Sequence, residues 1–154
     1  MQANGAWPEG VPGRLRLPSG RTVVGRGRRS TWPGDAPEPE FELVLAGRRE
    51  GERPAWPSEV LRWPDFGVPA DRDEALRALR AVLVRSTSER VAVSCRGGRG
   101  RTGTALACLA VLDGVGARAA VAYVRTNYDR HAVETPWQAR FVRRLERPAA
   151  PRRP

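Results

Sequence analysis

The stretch Val91-Ala92-Val93-Ser94-Cys95-Arg96-Gly97-Gly98-Arg99-Gly100-Arg101-Thr102-Gly103 decides how this chain is read. Residues 91–93 are a short apolar run of the kind found in a buried central strand. Residues 102–112 are almost wholly apolar and predict a buried helix stopped by Gly114. Between strand and helix stand Cys95, Arg96, Gly97, Gly98, Arg99, Gly100 and Arg101. A turn of this composition aims several backbone N–H groups at one point, because glycine tolerates close approach and unusual dihedrals, and the helix adds its positive N-terminal end. The product is an anion cradle. Arg101 is placed to close it with two parallel N–H donors that match phosphate oxygens, which an ammonium group cannot do. Dipoles that favour a bound phosphate also favour a thiolate, so Cys95 is a candidate nucleophile. Thr102 follows directly and could donate its hydroxyl to the sulfur when the thiolate leaves.

Upstream of this unit, residues 41–46 read as a buried strand ending at Gly47, and residues 58–63 as another that stops at Pro64. A helix begins near Asp71, which caps it with Glu74 completing a capping box, and Leu76, Leu79 and Leu83 recur at helical spacing. Downstream, helices are expected over residues 117–128 and 136–145, the second with Thr135 as cap, Pro136 in the first turn and Gln138 closing a capping box. Trp137 and Phe141, four apart, are expected to pack inward together. The first forty residues are rich in Pro, Gly and Arg, with one strand-like run over 21–24, and should wrap the domain. The expected organisation is a single α/β domain over residues 21–146, a small mostly parallel or mixed sheet flanked by helices. A poorly structured segment over 1–20 and a disordered tail over 147–154 complete it.

Cys95, five residues, Arg101 and then Thr102-Gly103 resemble the signature loop of the protein tyrosine phosphatase superfamily, including its small dual-specificity enzymes. A second segment, Trp63-Pro64-Asp65-Phe66-Gly67-Val68-Pro69, resembles the movable loop that carries the family's general acid. Trp-Pro occurs four times, at 7, 32, 56 and 63, but only the copy at 63 continues in this way, 30 residues before Cys95 once counted from Asp65. The resemblance implies a tyrosine-phosphatase-like fold, Cys95 as nucleophile through a phosphocysteine, Asp65 as acid and later base, and Arg96 to Arg101 as the phosphate loop. It implies a water-positioning role for Gln138, although the capping box already accounts for a Gln there. Most relatives carry His before the nucleophile; Ser94 stands here, which predicts a weaker or higher-pH enzyme, or a phosphate-binding domain without turnover. Arg96 and Arg99 also resemble the basic loop residues of phosphoinositide phosphatases, which suit substrates with more than one phosphate. The expected partners are therefore a phosphorylated protein, phosphotyrosine above all, or a polyphosphorylated small molecule.

The net charge of +10 is compatible with any of these anions, yet all 27 basic residues are arginine and they are spread along the chain. That looks like compositional bias as much as function, and no nucleic-acid partner is expected. A single histidine, His131, in a polar connection, and no Cys/His cluster argue against zinc; no cofactor is expected. Cys95 and Cys108 are 13 residues apart and do not form a disulfide framework; Cys108 reads as core. The longest apolar run, 105–112, is too short to cross a bilayer, and the default address is the cytoplasm.

Overall fold

The computed structural model describes residues 5–48 and 53–145. A five-stranded sheet is built from β1 (Arg14–Arg16), β2 (Thr22–Gly27), β3 (Phe41–Ala46), β4 (Ser58–Arg62) and β5 (Val91–Cys95), in the order β1-β2-β5-β3-β4. All pairings are parallel except β1 with β2, so the sheet is mixed, as the sequence predicts. Four helices follow or intervene: α1 (Arg72–Arg85), α2 (Gly100–Leu112), α3 (Ala120–Asn127) and α4 (Pro136–Arg143).

Side-chain alternation along the strands separates the two faces of the sheet. Val23, Leu43, Leu45, Val91 and Val93 join Leu79, Leu106, Val124 and Val142 in one core, so all four helices cover that face. The opposite face carries Val24 and Ala92 and is covered by Trp7, Val11 and the half-buried Trp32. β5 is central and buried along its whole length, as a strand with parallel neighbours on both sides must be. Its C-terminal end therefore opens at the rim of the sheet, where ligand sites of parallel α/β folds lie.

Several sequence expectations need correction. Residues 14–16, assigned to a poorly structured segment, form β1, with Leu15 and Leu17 essentially inaccessible and Trp7 donating its indole N–H to Val91 O at 3.0 Å. Three residues between Pro- and Gly-rich flanks are too few to display a two-residue period. β2 runs to Gly27, beyond the expected 21–24; its glycines are weak strand formers, but Gly25 lies against the Tyr128 ring and Gly27 against the backbone of Gly97. Strand 58–62 is an edge strand, not a buried one, with Val60 partly exposed. Helix α3 starts at Ala120; Ala119 is its cap, without a side-chain cap bond. The expected tail over 147–154 lies outside the described residues.

Candidate active site

Cys95 ends β5 and its side chain turns into the loop that follows, where Gly98 N–H donates to Sγ at 3.1 Å. Gly98 has φ +81°, and a Cβ there would stand 2.7 Å from Gly27 N, so the loop lies directly on the end of β2 and only glycine fits. Three further bonds fix it: Arg28 N–H to Cys95 O at 2.8 Å, Arg29 N–H to Arg96 O at 3.1 Å, and Tyr128 Oη to Gly98 O at 2.6 Å. Burial, then the neighbouring Cys95 and Asp129, push the Tyr128 phenol up, against the opposing pull of Arg99, so it remains a donor at neutral pH. Helix α2 begins at Gly100 with Arg99 at its N-cap position and no side-chain cap. Its positive end faces the loop.

Arg101 is buried, and its Nη1 donates to Trp63 O at 3.2 Å while Nη2 lies 3.5 Å from Asp65 Oδ1. The Cys95 loop and the Asp65 segment are thus joined through one guanidinium. Asp65 itself is exposed and faces the cleft. Its segment is anchored from below by the buried Trp63, whose indole donates to Gly67 O at 2.7 Å. From the side, Trp137 Nε1 donates to Phe66 O at 2.6 Å and Gln138 Nε2 to Gly67 O at 3.0 Å. Phe66 takes a left-handed φ of 60°, a conformation uncommon outside glycine and held here by those bonds.

The structure brings together Cys95, Arg96, Gly97, Arg99, Gly100, Arg101 and Asp65 around one cleft of about 400 Å³. Gly98 is not part of the lining but touches Cys95 Sγ through its N–H. Thr102 and Gln138 stand apart from the lining. Thr102 is buried and its hydroxyl has no hydrogen-bond partner, so the expected bond to Cys95 is absent. Gln138 Oε1 accepts from Glu134 and Thr135 N–H groups while Nε2 donates to Gly67 O, so its side chain closes the capping box and fastens the Asp65 segment. Trp137 is 55% exposed instead of packed inward, because its indole reaches Phe66; Phe141 alone packs on Trp63. His131 is exposed beside Asp129, and burial pushes the Cys108 thiol up, out of the reactive range.

Phe66 of the Asp65 segment also lines the cleft, as do Arg29, Ser30 and Glu134, to which sequence reasoning gave no role. Arg29 and Ser30 come from the turn after β2, and Glu134 from the connection before α4; only the tertiary fold brings them to Cys95. Beneath the loop, Ser94 Oγ donates to Glu42 and accepts from Arg28 Nη1 at 3.1 Å, in the place where a histidine was expected. Among the described residues no group of His, Cys, Asp or Glu side chains is placed to hold a metal ion, and no helix is long and apolar enough to cross a membrane.

Residues 67–150 match the family described as PTP-SAK: Swiss Army Knife protein, DSP-PTPase phosphatase domain. The chain belongs to this family. The match holds the whole Cys95 loop of this phosphatase domain and begins two residues after Asp65. An uncharacterized protein of Methanocaldococcus jannaschii is 42% identical over 78 residues, 51% of this chain and 48% of its own length. The chain spans about half the length of that relative. Among solved structures, Tk-PTP in its active form superposes with a TM-score of 0.61 at 26% identity, over 69% of this chain and 77% of that one. The Trypanosoma brucei protein tyrosine phosphatase TbPTP1 gives 0.62 at 16% identity, over 86% and 70%, a likeness of fold.

Proposed function

We propose that this phosphatase domain hydrolyses phosphomonoesters through a cysteinyl-phosphate intermediate, with protein phosphotyrosine or a mixed phosphotyrosine and phosphoserine/threonine range as substrate. The observation that carries the reading is one sulfur, Cys95 Sγ, held by the Gly98 amide in a cleft that Arg101 and Asp65 share. In the proposed reaction Sγ attacks phosphorus in line, and the bond from phosphorus to the ester oxygen breaks. Loop amides over residues 96–101 and the Arg101 guanidinium neutralise the three equatorial oxygens, so positioning and electrostatics supply most of the rate. Asp65 gives its proton to the departing oxygen. The resulting carboxylate then takes a proton from water as that water attacks the phosphocysteine, releasing inorganic phosphate and restoring the thiolate. Thr102 is free to turn its hydroxyl to the sulfur at that step, since no other acceptor holds it. Gln138 serves this scheme by fastening the acid segment rather than by holding water. Phe66, 56% exposed at the cleft, offers an aromatic wall to an aryl ester.

A second reading is favoured by the rim. Arg29 joins Arg96 and Arg99 around the cleft, giving three guanidinium groups besides Arg101 to meet further phosphates of a polyphosphorylated small molecule. Hydrolysis of an aryl phosphate by the unaltered domain, Cys95→Ser and Asp65→Asn tests the chemistry. Turnover abolished in the first variant and strongly reduced in the second is expected; Cys95→Ser turning over as the unaltered domain does overturns it. A phosphotyrosine peptide set against inositol polyphosphates, with Arg96→Ala and Arg99→Ala, separates the two substrate classes.

A further inference from the structure

A second cavity, of about 350 Å³, opens beside the Cys95 cleft. The two share Gly27, Ser30, Gly97 and Arg99, so they form one groove that passes over the Cys95 loop. At the crossing stands Gly97, where nothing lies within 4 Å of a Cβ position, and a ligand leaving the cleft meets bare backbone there. Beyond it the wall is Trp32, from the Trp-Pro pair after β2, with Tyr128 and Asp129 after α3. Trp32 and Asp129 line this cavity and not the cleft. The Trp32 ring is fixed in place: it lies 5.6 Å from the buried Trp7 and 5.8 Å from Trp56, and its Nε1 donates to Ala36 O at 3.4 Å. Tyr128 is held by its bond to Gly98 O at 2.6 Å. A ring entering the cavity finds aromatic surface already ordered, which lowers the entropy lost on binding. The guanidinium groups on the wall each face a carboxylate, Arg26 with Glu42 at 3.2 Å and Arg99 with Asp129 at 3.6 Å. That suits an uncharged group better than a second phosphate.

We infer that this cavity is a specificity subsite for an aromatic side chain of a phosphopeptide, carried one or two residues from the phosphotyrosine that Cys95 attacks. The inference rests on the proposed reaction at Cys95 and names a substrate feature that the reaction selects. An extended peptide advances roughly 3.3 Å per residue and one layer of backbone is about 5 Å wide, so one or two residues carry a side chain across Gly97. The incoming ring packs on Trp32 and displaces water from it. Asp129 accepts the N–H of His131 through Oδ1 at 2.7 Å, and a carboxylate has further lone pairs to offer the cavity. A ring with a donor at its edge therefore gains a bond as well as a contact, so tyrosine or tryptophan serves better than phenylalanine. The cavity takes no part in the chemistry; it holds the substrate from one side while the phosphate lies on the Cys95 loop.

The test compares phosphotyrosine peptides that differ in a single flanking residue, Trp, Tyr, Phe or Ala, placed one or two positions to either side. Their kcat/KM is measured on the unaltered domain, Trp32→Ala and Thr31→Phe, with p-nitrophenyl phosphate, which ends within the cleft, as the control. Thr31 is exposed and lines only the second cavity, so a ring placed there occupies it without disturbing the core. The expected result is a kcat/KM raised about tenfold by the flanking ring, mostly through KM, and lost in both variants, while p-nitrophenyl phosphate kinetics stay within about twofold. If Trp32→Ala does not fold, as its circular dichroism melt shows, Thr31→Phe decides the matter. Peptides with and without the ring hydrolysed alike by the unaltered domain, or a gain that survives in both variants, overturns the inference. So does a gain found with nucleoside monophosphates and with none of the peptides. Failure of the unaltered domain to turn over p-nitrophenyl phosphate defeats the proposed function instead, and the subsite is then read from the dissociation constants of the same peptides with Cys95→Ser.

Discussion

Replacing Gly98 by Ala puts the closest contact of the loop to the test. The new Cβ would stand 2.7 Å from Gly27 N and 3.0 Å from Arg26 C, both backbone atoms of β2 that no rotamer change can move. A left-handed alanine costs roughly 1–2 kcal/mol by itself. Forcing the loop off β2 adds about 1–3 kcal/mol, typical of an extra methyl in a packed site. The sum, about 2–5 kcal/mol, corresponds to a fall in Tm of roughly 5–15 °C for a domain of this size. Displacing Gly98 N–H from Sγ and its carbonyl from Tyr128 should also lower aryl phosphate turnover at least about tenfold, less than the roughly hundredfold or more that outright loss of one anion donor costs, because the N–H is moved and not removed. Gly97→Ala is the matched control, because nothing lies within 4 Å of its Cβ position, and it should melt within about 2 °C of the unaltered domain. Calorimetric melts of the two variants, with turnover measured well below both midpoints, give the answer. Equal melts and equal turnover would refute the placement of the loop against β2.

Asp65→Asn should lower kcat by about two to four decades for an alkyl phosphate, the usual range for a lost general acid, and by less for p-nitrophenyl phosphate, whose leaving group needs little protonation; parallel rates on the two esters check it. Trp137→Ala removes a bond from an exposed indole to Phe66 O, so Tm should fall by only a few degrees while kcat drops several-fold; a loss of stability without loss of kcat would show that the bond does not hold the acid segment. Iodoacetamide at pH 8 should label Cys95 alone, because burial pushes the Cys108 thiol up and keeps it protonated; peptide mass mapping reads the site.

The loop from Cys95 to Arg101 and the segment around Asp65 were legible because each is a continuous piece of chain whose residue types have few other uses. The fold followed from the same unit, since a buried strand running through glycines into a buried helix constrains its neighbours to a parallel sheet. What stayed hidden depends on strands meeting. Glu42 was read as one residue of an apolar strand, and its charge was the signal left unused: an acid inside Phe41–Ala46 needs donors, and Arg26, Trp56 and Ser94 supply them from other elements. Arg29 and Glu134 could not be told from the many surface charges of this composition until the turns that bear them were placed. The exposed position of Trp137 reversed the helical-spacing expectation, because a polar indole edge found a carbonyl on another loop before its ring found the core.

That indole gives the molecule its own optical gauge. The chain has five tryptophans; Trp7 and Trp63 are buried, whereas Trp137 is 55% exposed and bridges α4 and the turn at Phe66. A swing of the Asp65 turn away from Arg101 would break the bond from Trp137 to Phe66 O and change the surroundings of the indole. The emission difference between the unaltered domain and Trp137→Phe would report such a swing without an attached dye.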